Sequence, residues 1–457
     1  MSTSKRMRNF WMLWVATMVL ACISSAAAQT SYKITDLGTN KSNDNFSMAM
    51  GLNNQGWTEN MDGFVNPPEN NLFTTVARGR AVINREGVNI DLGTLGKPDT
   101  GNSWINWGGI NDRGEAVGMS ETAVPDPNGE DICGFGTFLT CVPFLWQNGH
   151  MSALPTVGGN NGQASAINNR GEVAGFAETA NADPTCPPTP ADLPVLWVKG
   201  HAHALPLIGN DVDGTAFGIN DLGQAVGYSG DCFNAKHAVM WRDGTAFPLQ
   251  DLGVERSNFG FAINNLGQVV GQVRTADGST RVASLWQPDG TLTVLGILPG
   301  QSASSATGIN SKGQVVGSTF DSGFDWSGGF LWQNGVLTDL NTLIPEDSGL
   351  LIINASNINE RGQISGMATV ATGPHAGDIH SILLTPVNAS IGRSMADFAG
   401  THPHSNLSGK LATICGVSAP ADSTNREVVS ELPHMHKLCE YGGPEVVQHN
   451  MGHADIA

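Results

Sequence analysis

Charge is scarce in this chain of 457 residues: Asp, Glu, Lys and Arg together make up 14% of it. Basic residues are scarcer still, 23 Lys and Arg against 41 Asp and Glu, and the formal net charge is −18. That works against nucleic acids and anionic membrane surfaces as partners, since both require a basic footprint. Long hydrophobic runs are missing once the first thirty residues are passed, so no later segment is apolar enough to cross a bilayer as a helix. The seven cysteines never occur as Cys-x-x-Cys, which argues against metal ligation by paired thiolates. Of twelve histidines, six lie after residue 387 and none sits in a recurring acid–base context. No nucleophile–base arrangement, cofactor motif or metal motif stands out, and binding is expected ahead of catalysis. Low charge does not mean disorder here, because 40% of residues are hydrophobic and 57 are glycine, a turn-rich, β-rich composition.

The chain opens with Lys5, Arg6 and Arg8, then an apolar run from Phe10 to Ile23, then Ala26-Ala27-Ala28 before Gln29. This order reads as a secretory signal peptide over residues 1–28. Val19-Leu20-Ala21-Cys22 resembles a lipidation box, but the Ala-x-Ala site downstream favours plain cleavage. Cleavage removes three basic residues and Cys22, taking the charge from −18 to −21 and leaving six cysteines. An even number suits an oxidising compartment, so the mature protein is expected to be secreted, extracellular or periplasmic.

Seven times the chain repeats a small residue, an aliphatic, an asparagine, two variable residues and a glycine. The asparagines are Asn53, Asn111, Asn168, Asn220, Asn264, Asn310 and Asn359, at steps of 58, 57, 52, 44, 46 and 49 residues. The last copy reads Asn357-Ile358-Asn359, with asparagine replacing the small residue. Six copies, all but the first, run three residues further to a second glycine. A period near fifty marks repeat architecture. In residues 259–300, Phe259 to Asn264 alternates apolar residues and ends in Asn264-Asn265-Leu266-Gly267, a type I turn closed by a left-handed glycine. Gln268 to Gly271, Val282 to Trp286 and Thr291 to Leu295 supply three further strands. Four short antiparallel strands per unit describe a propeller blade.

The third strand ends in Trp146, Trp197, Trp241, Trp286 and Trp332, with Ile83 and Leu384 in the outer copies. A recurring aromatic of this kind is expected between blades as core. Tyr32 to Gly38 matches the fourth-strand pattern of Asp91-Leu92-Gly93 and Asp251-Leu252-Gly253 but stands alone, and the last unit has only three strands. The expected fold is therefore all-β: a seven-bladed β-propeller over residues 29–387, closed by the N-terminal strand, with an irregular tail at 388–457. Closure removes the exposed edge.

The phrase Gly-Ile-Asn-x-x-Gly-x-Val-Val-Gly, a strand such as His237-Ala238-Val239-Met240-Trp241 or His380-Ser381-Ile382-Leu383, and an Asp-Leu-Gly ending together resemble the bacterial extracellular HAF-repeat proteins. The resemblance covers roughly residues 32–387. It implies a secreted β-repeat protein without an assigned activity, and no functional role comes with the histidine.

Strand order sorts the loops onto two sides. The tight turns lie on one side; the variable spans 119–142, 176–192, 228–236 and 367–379 lie on the other, where function is expected. Trp104, Trp107, Tyr228 and Trp326, with Phe135, Phe138, Phe233 and Phe324, are the aromatics outside the periodic set, candidates to stack on sugar rings beside carboxylates. The expected role is a non-catalytic binding or surface-interaction module, for an extracellular glycan or a surface protein, in a monomer; a carbohydrate-directed hydrolase or lyase is the alternative. Expected disulfides are Cys133–Cys141, Cys186–Cys232 and Cys415–Cys439. Thr319 to Trp326 resembles a sialidase-type Asp box, and Asn210 to Gly214 a calcium-leaning loop; both are expected to be ordinary turns. A zinc site from His434, His436 and Cys439 is a weaker reading than a mobile tail.

Overall fold

The computed structural model describes residues 30–387 except 42–43, 66–75, 98–100, 186–188, 233 and 324. The signal peptide, the tail with its histidines, Cys415 and Cys439 lie outside the described residues. What is described is built from strands, with two short 3-10 turns at Leu340–Leu343 and Glu346–Ser348 and no α-helix.

Unit five gives the local logic. Phe259–Ile263, Val269–Arg274, Arg281–Trp286 and Leu292–Gly296 pair in order, each antiparallel to the next. Units four and six have the same order, from Asp213–Ile219 to Thr245–Pro248 and from Ala303–Ile309 to Val336–Asp339. Unit two, Ser103–Ile110 to His150–Ala153, and unit three, Gly158–Ile167 to His201–Ala204, share one parallel backbone bridge, Ala166 with Gly108. The last unit pairs Leu350–Ile358, Ile364–Val370 and Ile379–Val387, and its outer strand is Ser31–Gly38 from the start of the chain. Its neighbour is unit one, Phe46–Leu52 to Val88–Asp91, bridged in parallel at Phe46 and Ile379. The strands run further than the loop spans read from sequence: Ala182 still pairs with Pro190 and Pro125 with Leu139. Backbone pairing continues past bulges there, and it shortens the variable loops.

The repeat phrase has a physical reason at each position. The Oδ1 of every one of the seven asparagines accepts the N–H groups two and four residues on, as Asn264 does from Leu266 and Gln268 at 3.0 Å each. The glycine three residues on donates to the asparagine carbonyl and sits at φ between 71° and 84°, where a Cβ is costly. Each asparagine Nδ2 then donates to the carbonyl of the next unit's asparagine at 2.9–3.1 Å. The series returns to its start, because Asn359 donates to the Asn53 carbonyl. In six units the same Nδ2 also meets a Glu or Gln side chain four residues on, from Asn111 with Glu115 to Asn359 with Gln363.

The second glycine is explained by close approach. A Cβ at Gly118, Gly175, Gly227, Gly271, Gly317 or Gly366 would lie 1.8–2.3 Å from a carbonyl oxygen of the neighbouring first strand. Unit one departs from this pattern. Thr58, Glu59 and Asn60 stand where unit two has Ala116, Val117 and Gly118. Glu59 is fully buried with neither carboxyl oxygen hydrogen-bonded, and burial raises its pKa well above the usual range. Its space comes from Gly109, where a Cβ would lie 1.8 Å from Glu59 Oε2.

The cores lie between units rather than within them. Leu285 of unit five packs with Phe330 of unit six, and Trp197 of unit three with Val117 of unit two. Trp197, Trp241 and Trp286 are at most 1% exposed, and each Nε1 donates at 2.7 Å to a carbonyl in the link from the preceding unit, that of Pro155, Pro206 or Gln250. Trp146 and Trp332 are only half-buried, against the expectation that all five would be core. Among the described residues neither makes the equivalent indole bond. Ile83 and Leu384 are buried.

Candidate functional site

Burial redraws the aromatic surface expected from sequence. Trp104 is not in a loop but in the first strand of unit two, Ser103–Ile110, and is 3% exposed. Its ring meets Phe135 edge-on, centroids 6.1 Å apart. Tyr228 lies in Ala225–Asp231 and is 1% exposed; its hydroxyl donates to Asp213 Oδ1 at 2.9 Å and its ring packs on Phe217 and Phe259. Both face inward along their strands, so neither presents a stacking surface. Trp326 is half-buried against the large core. The side chains of Trp107, Phe233 and Phe324 lie outside the described residues. Phe138 is the exception: it is 43% exposed and held at φ 55°, uncommon for a bulky side chain.

Phe138 closes the long loop of unit two. Its carbonyl accepts from Asp126 N at 2.8 Å, and the loop is braced by the Cys133–Cys141 disulfide expected from sequence. Val124, 58% exposed, lies two residues before Asp126. Three carboxylates, Asp126 among them, converge on one amide. Asn161 Nδ2 donates to Asp126 Oδ2 and Glu178 Oε1 at 2.9 Å, and lies 3.5 Å from Glu130 Oε2. Burial, then the Glu178 charge, pushes Glu130 up to about 8. Glu178 is raised by burial against bonds from Asn160 and Asn161. Farther along the same side, burial and then Asp213 push Asp192 well above its usual range, and burial takes Asp213 up to about 7.

Part of this cluster is scaffold. Glu121 holds Asn102 as Glu178 holds Asn161, through the backbone N–H and Nδ2, and each asparagine Oδ1 accepts a third-strand N–H of the preceding unit, Gly79 or Cys141. The Glu-Thr-Ala phrases at 121–123 and 178–180 are the sequence trace of this staple. Asp126 and Glu130 have no such trace, and their convergence with Glu178 depends on loop closure.

The other motifs behave as turns. Asp321 Oδ1 accepts from Gly323 and Asp325 N–H, and Asp211 pairs with Lys236. Among the described residues no group of three or more His, Cys, Asp or Glu is placed to hold a metal ion. No described helix is long and apolar enough to cross a membrane. Cys232 is in a disulfide, and its N–H donates to Thr185 Oγ1 at 3.0 Å; Cys186 lies outside the described residues.

A scan against protein-family models finds no match. A search of curated proteins finds none either. Among solved structures, the chain is similar to a streptogramin B lyase at 10% identity and TM-score 0.44, covering 78% of this chain and 98% of that one. It is similar to the β-propeller domain of the Trilobed protease from Pyrococcus furiosus at 11% identity and TM-score 0.32, covering 65% and 96%. It is also similar to a Trypanosoma rangeli sialidase at 10% identity and TM-score 0.35, covering 78% and 59%. Likeness at this level assigns no substrate and no site residue.

Proposed function

We propose that the chain is a closed seven-bladed propeller that is exported and acts as a non-catalytic binding module, taking an extracellular glycan on the longer-loop side of units two and three. Closure is supported by the asparagine series that returns from Asn359 to Asn53 and by the borrowed strand Ser31–Gly38. Export is supported by the N-terminal basic-apolar-small pattern and the Cys133–Cys141 bridge. Membership among the HAF-repeat proteins remains our reading of the repeat phrase. We pair Cys232 with Cys186, next to the Thr185 that Cys232 contacts.

The observation that carries the binding reading is Phe138, an exposed aromatic on a braced loop, its carbonyl bonded to the Asp126 of a carboxylate–amide cluster. Such a ring stacks on a sugar face, and the buried carboxylate–amide cluster holds its loop in place. The hydrolase alternative is less well supported. Catalytic carboxyl pairs stand about 5–10 Å apart with substrate or water between them, whereas Glu130 and Glu178 are 5% and 1% exposed and converge on the same Asn161 amide. A glycan array with the mature protein tests the reading. Binding should fall about tenfold in Phe138→Ala, the scale of one aromatic contact. Absence of glycan binding, or equal binding by the variant, overturns it.

A further inference from the structure

The outer strand of unit seven is the one strand of its kind not joined to its neighbour by a tight turn. Tyr32 and Ile34 pack it into the core of its unit, and among the described residues its polar side-chain tether is one pair: His380 Nδ1 lies 2.9 Å from both oxygens of Asp36. Unit one has the same pair at the same register. Arg80 lies opposite Asp62 and Asp91 opposite Val82; His380 lies opposite Ala368 and Asp36 opposite Ile382. There Arg80 Nε approaches Asp91 at 3.6 Å, and the strand is also held by the turn after Arg85. A permanently charged residue thus serves where the chain is continuous, and a titratable one serves where it is not.

We propose that the His380–Asp36 pair is a pH-sensitive latch on ring closure: imidazolium and carboxylate clamp Ser31–Gly38 to its unit in acid, and loss of the imidazolium proton loosens the strand. The inference rests on the closed-ring reading.

The surroundings favour the charged pair. The hydrogen bond to Asp36 raises the His380 pKa; burial opposes it, and the charges of Asp36, Asp378 and Asp62 add to it. Burial alone would raise Asp36, but the bonds from His380 and Gly38 outweigh it, so its carboxyl titrates below the usual range. Among the described residues His375 also faces the pair, ring centroids 6.1 Å from His380 and itself 3.0 Å from Asp378. Asp62, across the seam in unit one, is pushed by burial up to about 7. Its ionisation near neutrality strengthens the attraction for the imidazolium and delays the release. A histidine raised in the folded state stabilises fully below its unfolded value, about 6.5, and that stability fades as pH rises through the folded value.

Hydrogen exchange of the Ser31–Gly38 amides in the mature protein, corrected for intrinsic rates, reads the open fraction directly. It should grow severalfold between pH 6 and 8.5 as the imidazolium proton is lost. In His380→Gln the open fraction should be independent of pH at the high wild-type level, and in His380→Arg independent at the low one. Asp36→Asn gives the same flattening if the glutamine variant folds poorly. A wild-type open fraction that is constant, or a glutamine variant that keeps the wild-type slope, overturns the latch. Amides unprotected at every pH overturn the closed ring itself, a separate outcome.

Discussion

Asn264→Ala is the substitution on which the repeat logic bears most directly. Its side chain accepts from Leu266 and Gln268 N–H and donates to the Asn310 carbonyl at 3.0 Å and to Gln268 Oε1 at 2.8 Å, with 5% of the residue exposed. Four neutral bonds at about 1 kcal/mol each set an upper figure near 4. The Asn310 carbonyl keeps its bond from Gly313 N, and the turn amides regain water, so about 2–4 kcal/mol is expected. Asn53→Ala should cost about 1 kcal/mol less, because Trp57 stands where the other units offer a Glu or Gln. Asn264→Asp separates the two roles: it keeps both acceptor bonds but turns two donors into a carboxylate facing two oxygens. It should be as damaging as alanine at pH 7 and recover part of the loss below pH 4, where the acid can donate. Urea unfolding followed by tryptophan fluorescence measures all three. A cost under about 0.5 kcal/mol for alanine, the level of ordinary surface changes, or an aspartate variant equal to wild type at pH 7, would refute the reasoning.

Three further outcomes follow from burial. Trp286→Ala should cost about 3–5 kcal/mol, as for a large core aromatic, and Trp332→Ala clearly less, since Trp332 is half-buried and lacks the indole bond; equal losses in urea unfolding would count against the distinction. Glu59→Val, which installs the residue found at Val117, should raise stability by about 1–3 kcal/mol by removing an unpaired buried carboxyl; a lower melting temperature would argue that Glu59 has a partner. Acids raised by folding stabilise fully below about pH 4 and lose that contribution as pH rises through the folded value. Burial takes Glu130 up to about 8 and Asp213 to about 7, so the melting temperature should fall from pH 5 to 9, with the upper part of the fall flattened in Glu130→Gln.

The architecture was legible because the repeat phrase encodes bonds that are local. Asparagine Oδ1 bonds only two and four residues ahead, and glycine three ahead needs a left-handed backbone, so turn, strand ends and period all appear in one dimension. The second glycine was visible as a pattern, while its cause, a carbonyl 1.8–2.3 Å from any added Cβ, belongs to the neighbouring strand. The binding surface was much less legible. Trp104 and Tyr228 lie in segments that resemble loops by composition yet are strands, and bulged pairing decides which side each faces. The Asp126–Glu130–Glu178 convergence on Asn161 joins residues 17 to 35 positions apart across two units, beyond the reach of periodicity.

Removing the borrowed strand tests the closed ring most directly. A mature protein beginning after Gly38 should lose its single cooperative melting transition or aggregate, because it uncovers the Ile379–Val387 edge along its full pairing with Ser31–Gly38. Adding a synthetic peptide spanning residues 30–39 should restore the transition in proportion to its concentration. An unchanged melting curve without the strand, and no response to the peptide, would contradict closure.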